Sequence, residues 1–556
     1  MTEPHDGFAH GGAGNDGGKH DGGKHDGSRH SAPRRGSGRP GRGRGAHRGV
    51  APHDATPRDT PRNNPRVVAY DILTDVLAKD AYANLLTPRL LSGRDMPERN
   101  RAFATDLVYG TLRWMRLLDA IVAAAAKRPR EAIDGATLTV LRLGAYQSLF
   151  LGVPDHAAVS QSVSLARRRV GAHAGGFVNA VMHRVVARGL KEWQSIVTSR
   201  IPRDHAAERL GVRWSHPDWI VQALDASWRA SGYDDAAWRH VAEGADGAAE
   251  GAAPGAAPRA TSDVALGSAI DALLERDNEP PSVTLVARPG LVTRDEIIAA
   301  LPHTAQHELG LWSPYALRVH GVTPERLAAV RGHRAGVEDE GSQLAALALA
   351  ACPLDGPDTA WLDMCAGPGG KTALLASIAA GRHATVTANE PTHHRADLVR
   401  ENVSALPDGV IDDVLELDGR MLGQMFPGRF DRVLVDAPCS GLGALRRRPE
   451  ARWRKDEADL TALTQLQLGL LESALRAVRP GGVVAYVTCS PALPETTQIV
   501  DAALEGHPEA ERCDATAVLH GVNPGIPLPA RPGDVQLFGH VHDTDQMFIS
   551  LLRRTA

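Results

Sequence analysis

Apolar residues recur every three or four positions from Pro65 to about Gly189, then gather into short unbroken runs after Ala360, so the chain is expected to change architecture along its length. In "PRVVAYDILTDVLAKDAYAN", Val67, Ala69, Tyr70, Ile72, Leu73, Val76 and Leu77 fall mainly on one helical stripe. "RNRAFATDLVYGTLRWMRLLDAIVAAA", "TLTVLRLGAYQSLFL", "HAAVSQSVSLARRR" and "GGFVNAVMHRVVARG" behave likewise, and residues 63–192 are expected to form an all-helical bundle. A helical connector follows over 193–278. It includes the segment Ser215 to Trp219 and a flexible Ala/Gly/Pro-rich insertion at about 243–262. "PPSVTLVARPG" and "RDEIIAALP" suggest a small α+β subdomain over 279–340. From Ala360, apolar strands alternate with helical segments as in an open parallel sheet, which places an α/β domain at 341–556.

Composition changes this picture at the N-terminus. Residues 1–62 carry a tandem "GGKHDGGKHD" and then "APRRGSGRPGRGRGAHRG", with almost nothing to fill a core, and are expected to be disordered. The chain has 556 residues, 43% of them hydrophobic, and a net charge of −4, so any basic surface must be local. Arg34, Arg35, Arg39, Arg42, Arg44 and Arg48 have no acid among them; they suit nonspecific contact with RNA phosphates or a solubilising tail. No apolar run reaches the length of a membrane span, and the N-terminus is polar rather than a signal peptide; "LLDAIVAAAA" is short and is interrupted by Asp119. The five cysteines, Cys352, Cys365, Cys439, Cys489 and Cys513, form no zinc spacing. Free thiols in a reducing cytoplasm, with no metal and no membrane partner, are the expectation.

Candidate chemistry lies in the last region. "TAWLDMCAGPGGKTALLASIAA" reads as a strand, a glycine-rich turn and a helix, in which Gly367, Gly369 and Gly370 let the backbone approach a ligand at the helix N-terminus. Alone it is a weak signal, being neither a strict dinucleotide fingerprint nor a phosphate loop. The second strand, "ATVTANE", ends in Glu390, about 20 residues after the turn, where an acid accepts the hydroxyls of a ribose. Asp418 follows the third strand at the same sheet edge. Each acid taken singly reads equally as a cap or a loop residue. "DRVLVDAPCSG" and "GGVVAYVTCSP" then bring Cys439 and Cys489 to the ends of the fourth and fifth strands, each followed by serine and flanked by proline, with Asp436 beside the first. A cysteine at a strand end is commonly an inert small hydrophobe; two in this setting are harder to read as packing.

"DMCAGPGGKT", "ANE", "LDGR", "DAPCSGLGALRRRPEARW" and "VTCSPALPETT", in this order, resemble the RsmB/Sun family of RNA cytosine-5 methyltransferases. "RAFATDLVYGTLR", "LRLGAYQ" and "GFVNAVMHRV" resemble the NusB-like RNA-binding domain of its ribosomal-RNA branch. The resemblance implies a Rossmann-like domain that binds S-adenosylmethionine through Cys365, Ala366, Gly367, Pro368, Gly369, Gly370 and Lys371, with Glu390, Asp418 and Asp436 at the remaining cofactor positions. It implies RNA, and small-subunit ribosomal RNA in particular, as partner, with no role for DNA; a monomer is preferred. The chain departs from the family at Gly367, where alanine is frequent, and at Glu390, where aspartate is usual. The first departure is expected to be harmless and the second to alter cofactor affinity modestly.

Carbon 5 of cytosine is a poor nucleophile, and a thiolate bonded at carbon 6 pushes electron density onto it. By resemblance Cys489 supplies that thiolate and Cys439 assists its release, with Asp436, protonated or hydrogen-bonded there, or Lys371 stabilising charge at nitrogen 3. A competing assignment makes Cys439 the nucleophile, as in the Pro-Cys motif of DNA cytosine-5 methyltransferases. Arg446, Arg447 and Arg448 suit RNA backbone contact or a solvated loop about equally, and Arg113, Arg116, Arg167, Arg168 and Arg169 read as a solvated face apart from the resemblance. Cys352 and Cys513 read as ordinary thiols. Transfer RNA as substrate, or a noncatalytic ribosome-assembly role, are the alternatives to small-subunit ribosomal RNA methylation.

Overall fold

The computed structural model describes residues 63–79, 81–233 and 268–555. The tail expected over 1–62 and the insertion expected at about 243–262 lie outside the described residues. Helices Pro65–Ala78, Ala83–Ser92, Glu98–Arg113, Met115–Ala126, Gly135–Leu149, Asp155–Arg169 and Ala174–Val186 build the first region. Their starts follow local chemistry: Asn64 accepts from the N–H groups of Arg66 and Val67, and Asp134 accepts from Thr137 N at 2.9 Å. Gly135–Leu149 is apolar on most sides and is buried accordingly, with Val140, Leu141, Leu143 and Ala145 wholly enclosed by its neighbours. Asp119, the acid inside the apolar run of Met115–Ala126, accepts from both guanidinium arms of buried Arg142 at 2.6 and 2.7 Å, which ties two core helices together.

Helices Leu190–Thr198, Ala206–Trp214, Asp218–Ser231 and Ser268–Arg276 follow. Trp214, Ile220, Leu224, Trp228, Ile270 and Leu273 share one apolar core with Leu442, Leu445, Ala492 and Phe538 from the C-terminal region. The connector is thus packed beneath the loops that carry the cysteines. No helix among the described residues is long and apolar enough to cross a membrane.

A small antiparallel sheet comes next, formed by β1 (Val283–Ala287), β2 (Gln306–Leu309), β3 (Ala316–His320) and β4 (Ala335–Val337) in the order β2-β3-β1-β4. Arg288, at the end of β1, reaches across to donate to Asn402 O at 2.6 Å, so this sheet is fastened to the α/β region that follows.

That region holds β5 (Ala360–Asp363), β6 (Thr385–Asn389), β7 (Ile411–Leu415), β8 (Phe430–Asp436), β9 (Val478–Thr488), β10 (Ala510–Cys513), β11 (Val535–Gln536) and β12 (Phe548–Arg554). The order is β10-β12-β9-β8-β5-β6-β7, with β11 paired to β12. Strands β5 to β9 run parallel, as the alternating pattern predicts. The sheet is nevertheless mixed rather than parallel throughout, because β12 enters antiparallel to β9 and carries β10 and β11 with it. An antiparallel neighbour needs no crossover helix, so the apolar run "MFISLL" gave no sequence sign of its direction. Helices Glu340–Ala351 and Gly370–Ala380 cover one face of the sheet, and Asp459–Ala477 and Thr497–Gly506 cover the other. Strand order reverses between β5 and β8, and the crevice beyond their carboxyl ends is where such sheets bind ligands.

Candidate active site

The glycine turn is set by what surrounds it. Thr372 Oγ1 donates to Asp363 Oδ2 at 2.7 Å, closing the turn between β5 and the helix Gly370–Ala380. Burial pushes the Asp363 carboxyl up to about 7, against the lowering hydrogen bond from Thr372. Gly369 has φ +107°, and a Cβ there would lie 3.0 Å from both Val399 Cα and Asn402 Cβ, so a side chain is excluded by conformation and by space. At Gly367 a Cβ would stand 2.1 Å from Glu390 Oε2.

That contact joins the two positions at which the chain differs from the family pattern that its motifs resemble. Glu390 is buried; Arg395 Nη1 lies 3.2 Å from its Oε2, and Thr392 N donates to its Oε1 at 3.0 Å. Arg395 Nη2 also donates to Gly367 O at 2.8 Å. The Glu390 carboxylate thus occupies the space an alanine methyl at position 367 would need. Asp418 is half-exposed, accepts from Arg420 N at 3.0 Å and pairs with the Arg420 guanidinium at 2.6 Å. Both acids therefore cap their own turns while also facing the crevice.

Strands β8 and β9 deliver the cysteines. Cys439 Sγ lies 3.4 Å from Cys489 Sγ, although the two residues are 50 positions apart. Beneath them, Glu495 accepts from Ser440 N at 2.7 Å, from Ser440 Oγ and Ser490 Oγ at 2.5 Å each, and from Gln467 Nε2 at 3.1 Å. Gln467 Nε2 also donates to Pro438 O at 2.8 Å, and Gly443 N donates to Cys489 O at 2.9 Å. The serine after each cysteine thus shares one buried carboxylate, which fixes the thiol separation. Sequence reading noted both serines but missed Glu495, six positions beyond Cys489; the acid within the apolar and proline-rich stretch after the second Cys-Ser pair was the available signal.

Lys371 Nζ reaches Asp436 Oδ2 at 2.9 Å and Ser342 Oγ at 3.0 Å. Burial opposes its charge, yet Asp436 and Glu338 outweigh that and raise its pKa above the ordinary lysine value. Glu338 is buried with no hydrogen-bond partner at either oxygen, and desolvation lifts it to about 7. The hydrogen bond between the thiols lowers the pKa of Cys489, against burial and the charge of Asp436, with Lys371 helping; the same contact, together with burial, raises that of Cys439.

Cys365, Gly367, Pro368, Glu390, Asp418, Asp436, Cys439 and Cys489 line one cleft of about 760 Å³. Ala366, Gly369, Gly370 and Lys371 are not part of that lining; they shape the turn from behind, and Lys371 acts on the cleft through Asp436. Cys352 and Cys513 do not line it either. The arginines are placed differently from the sequence reading. Arg446 is buried against Asp543 at 3.1 Å, and Arg447 pairs with Asp339 at 2.6 Å and Asp545 at 2.9 Å, so both are internal clasps and only Arg448 is exposed at the cleft. Arg113 is likewise buried and donates to Arg446 O at 2.8 Å, and Arg116 pairs with Asp218 at 2.6 Å; neither belongs to a solvated face. Arg167 and Arg168 are exposed. Among the described residues no group of three or more His, Cys, Asp or Glu is placed to hold a metal ion.

The residues present fit S-adenosylmethionine. The turn at Gly367 leaves a cradle that a Cβ would disrupt, the buried Glu390 carboxylate faces it from β6, and Asp418 stands beyond β7 on the same rim.

Residues 351–553 match the family described as 16S rRNA methyltransferase RsmB/F, and residues 63–187 match the NusB family. The chain is 44% identical to a protein of Mycobacterium tuberculosis (strain H37Rv) that carries a methyltransferase name, over 91% of this chain and 100% of that protein. It is 30% identical to the ribosomal RNA small subunit methyltransferase B of Pseudomonas putida, over 81% of this chain and 91% of that protein. The fold is similar to the crystal structure of PH0851, with TM-score 0.65, 19% identity and coverage of 88% and 98% of the two chains. Helical NusB region, mixed methyltransferase sheet and cofactor cradle come together in one chain, which belongs to the RsmB/F family of S-adenosylmethionine-dependent rRNA methyltransferases.

Proposed function

We propose that this protein methylates carbon 5 of a cytosine in small-subunit ribosomal RNA through a transient bond between Cys489 and carbon 6. The observation that carries this reading is the 3.4 Å approach of Cys439 and Cys489 beside the Lys371–Asp436 pair. Cys489 attacks as thiolate, and negative charge spreads to nitrogen 3, where the Lys371 ammonium, held by Asp436, stabilises it. Bound S-adenosylmethionine would supply the electrophilic methyl group for carbon 5 and leave as S-adenosylhomocysteine. The carbon 5 proton then leaves to water and its electron pair reforms the ring double bond, expelling Cys489 as thiolate; Cys439 stays a thiol and assists by donating to the departing sulfur, so both cysteines return to their starting states. Glu390 and Asp418 are assigned to the ribose and adenine of the cofactor, and Cys365 to Lys371 to the turn that cradles it. The NusB-family match and the small-subunit name of the Pseudomonas putida relative favour ribosomal over transfer RNA.

The test incubates wild type, Cys439→Ala and Cys489→Ala with unmodified small-subunit ribosomal RNA and S-adenosylmethionine, then resolves them on a denaturing gel. A protein–RNA adduct that accumulates only in Cys439→Ala supports the assignment. An adduct confined to Cys489→Ala would transfer the nucleophile to Cys439. Cofactor binding with no methyl transfer by wild type would favour a noncatalytic role in ribosome assembly.

A further inference from the structure

The catalytic cleft has one wall from outside the α/β region. Tyr82, which precedes the helix Ala83–Ser92, lines it together with Arg448, Glu450, Ala451, Arg454 and Lys455. Tyr82 is 57% exposed and is the only exposed Phe, Trp or Tyr among the described residues.

The ring is held rather than loose. Arg454 Cζ lies 4.7 Å from its centroid, and the same guanidinium donates to Ala81 O. The segment bearing Arg454 is itself bolted to the helical region. Arg452, fully buried, donates to Arg113 O at 3.0 Å, Asn278 Oδ1 at 2.7 Å and Asp277 O at 2.7 Å, and Trp453 Nε1 donates to Leu112 O at 2.8 Å. Tyr82 therefore keeps a fixed position relative to the two thiols. Beside it, Arg448 and Lys455 make no ion pair or side-chain hydrogen bond among the described residues, in contrast to the engaged Arg446, Arg447, Arg452 and Arg454.

A cytosine reaches Cys489 only by leaving its stack, which uncovers the face of the adjoining base. Exposed aromatic rings take up such faces without regard to sequence, and nearby cations hold the intervening phosphate. We propose that Tyr82 is the stacking platform for the nucleobase next to the target cytosine, with Arg448 and Lys455 binding the phosphate between them. The ligand class is an unpaired ribonucleotide segment, and the helical region then contributes a binding residue directly to the catalytic cleft. This inference rests on the reading of RNA cytosine as substrate.

The test uses the full chain and unmodified small-subunit ribosomal RNA, comparing wild type, Tyr82→Phe, Tyr82→Ala and Arg448→Ala by filter binding and by steady-state methyl transfer. Tyr82→Ala is expected to weaken RNA binding and raise KM for RNA by about tenfold, with KM for S-adenosylmethionine and the melting temperature unchanged, while Tyr82→Phe stays near wild type. Arg448→Ala is expected to reduce the salt dependence of binding by about one phosphate contact. RNA binding by Tyr82→Ala within twofold of wild type, or equal losses in Tyr82→Phe and Tyr82→Ala, would overturn the proposal. If wild type binds RNA without methylating cytosine, the chemical reading fails, while the filter-binding comparison still decides the role of Tyr82.

Discussion

Lys371 Nζ stands 2.9 Å from Asp436 Oδ2, so the first turn of the cofactor helix is tied to the strand end that leads into Cys439. The lysine lies close enough to Cys489 for its charge to favour the thiolate. Lys371→Met is expected to raise the pKa of Cys489 and to lower kcat by about a hundredfold. The rate of iodoacetamide alkylation of Cys489 against pH, in a Cys439→Ala background for both proteins, reads the first effect. An unshifted profile would remove Lys371 from thiolate stabilisation.

Glu495 gathers four donors from three residues under the two cysteines, with Ser440 contributing both N–H and hydroxyl. Glu495→Gln turns an acceptor toward donors as a second donor and leaves buried groups unpaired. A loss of about 3 kcal/mol in unfolding free energy is expected, measured by chemical denaturation. Ser490→Ala removes one donor and leaves the other three, and is expected to cost about 1 kcal/mol.

Gly367 and Glu390 are a matched pair, given the 2.1 Å that would separate a Cβ at 367 from Glu390 Oε2. Gly367→Ala alone is expected to weaken S-adenosylmethionine binding about tenfold by displacing the carboxylate, and Glu390→Asp alone to weaken it less. The double variant is expected to bind better than Gly367→Ala, a coupling that isothermal titration measures directly. Strict additivity would show that the two positions act independently.

Glu338 and Asp363 have ordinary values of 4.5 and 3.8, and desolvation lifts each to about 7 in the folded protein. The folded state therefore holds more protons than the unfolded chain between those limits. Stability from these groups is complete at low pH and is lost as pH rises through 7. Glu338→Gln removes one of the two buried ionisations. Its stability relative to wild type is expected to rise between pH 5 and pH 8 by about 2 kcal/mol, read from urea denaturation at each pH. A constant difference across that range would mean that Glu338 does not titrate there.

The strand-end residues were legible because chain direction places them. A buried strand followed by glycine, an acid or a cysteine puts that residue at the carboxyl edge of a parallel sheet whatever the rest of the fold does. Cys365, Glu390, Asp418, Asp436, Cys439 and Cys489 all meet at one cleft for this reason. The arginine run after Cys439 was not legible in the same way. Arg446 and Arg447 look like a basic patch in sequence, but Asp543, Asp545 and Asp339, remote in the chain, neutralise them inside the protein.

By itself the sequence determined the helical and α/β regions, through the periods of their apolar residues, and the chemistry on offer, through two Cys-Ser pairs and a glycine turn at strand ends. Tertiary structure alone decided which groups act on which. It brought two thiols 50 positions apart to 3.4 Å, set both serines on Glu495, lodged Glu390 against Gly367 and placed Tyr82 on the cleft. The physical reason is that periodicity fixes the direction of a side chain relative to its own element. Distances between elements depend on packing and on buried hydrogen bonds whose partners lie far apart in the chain.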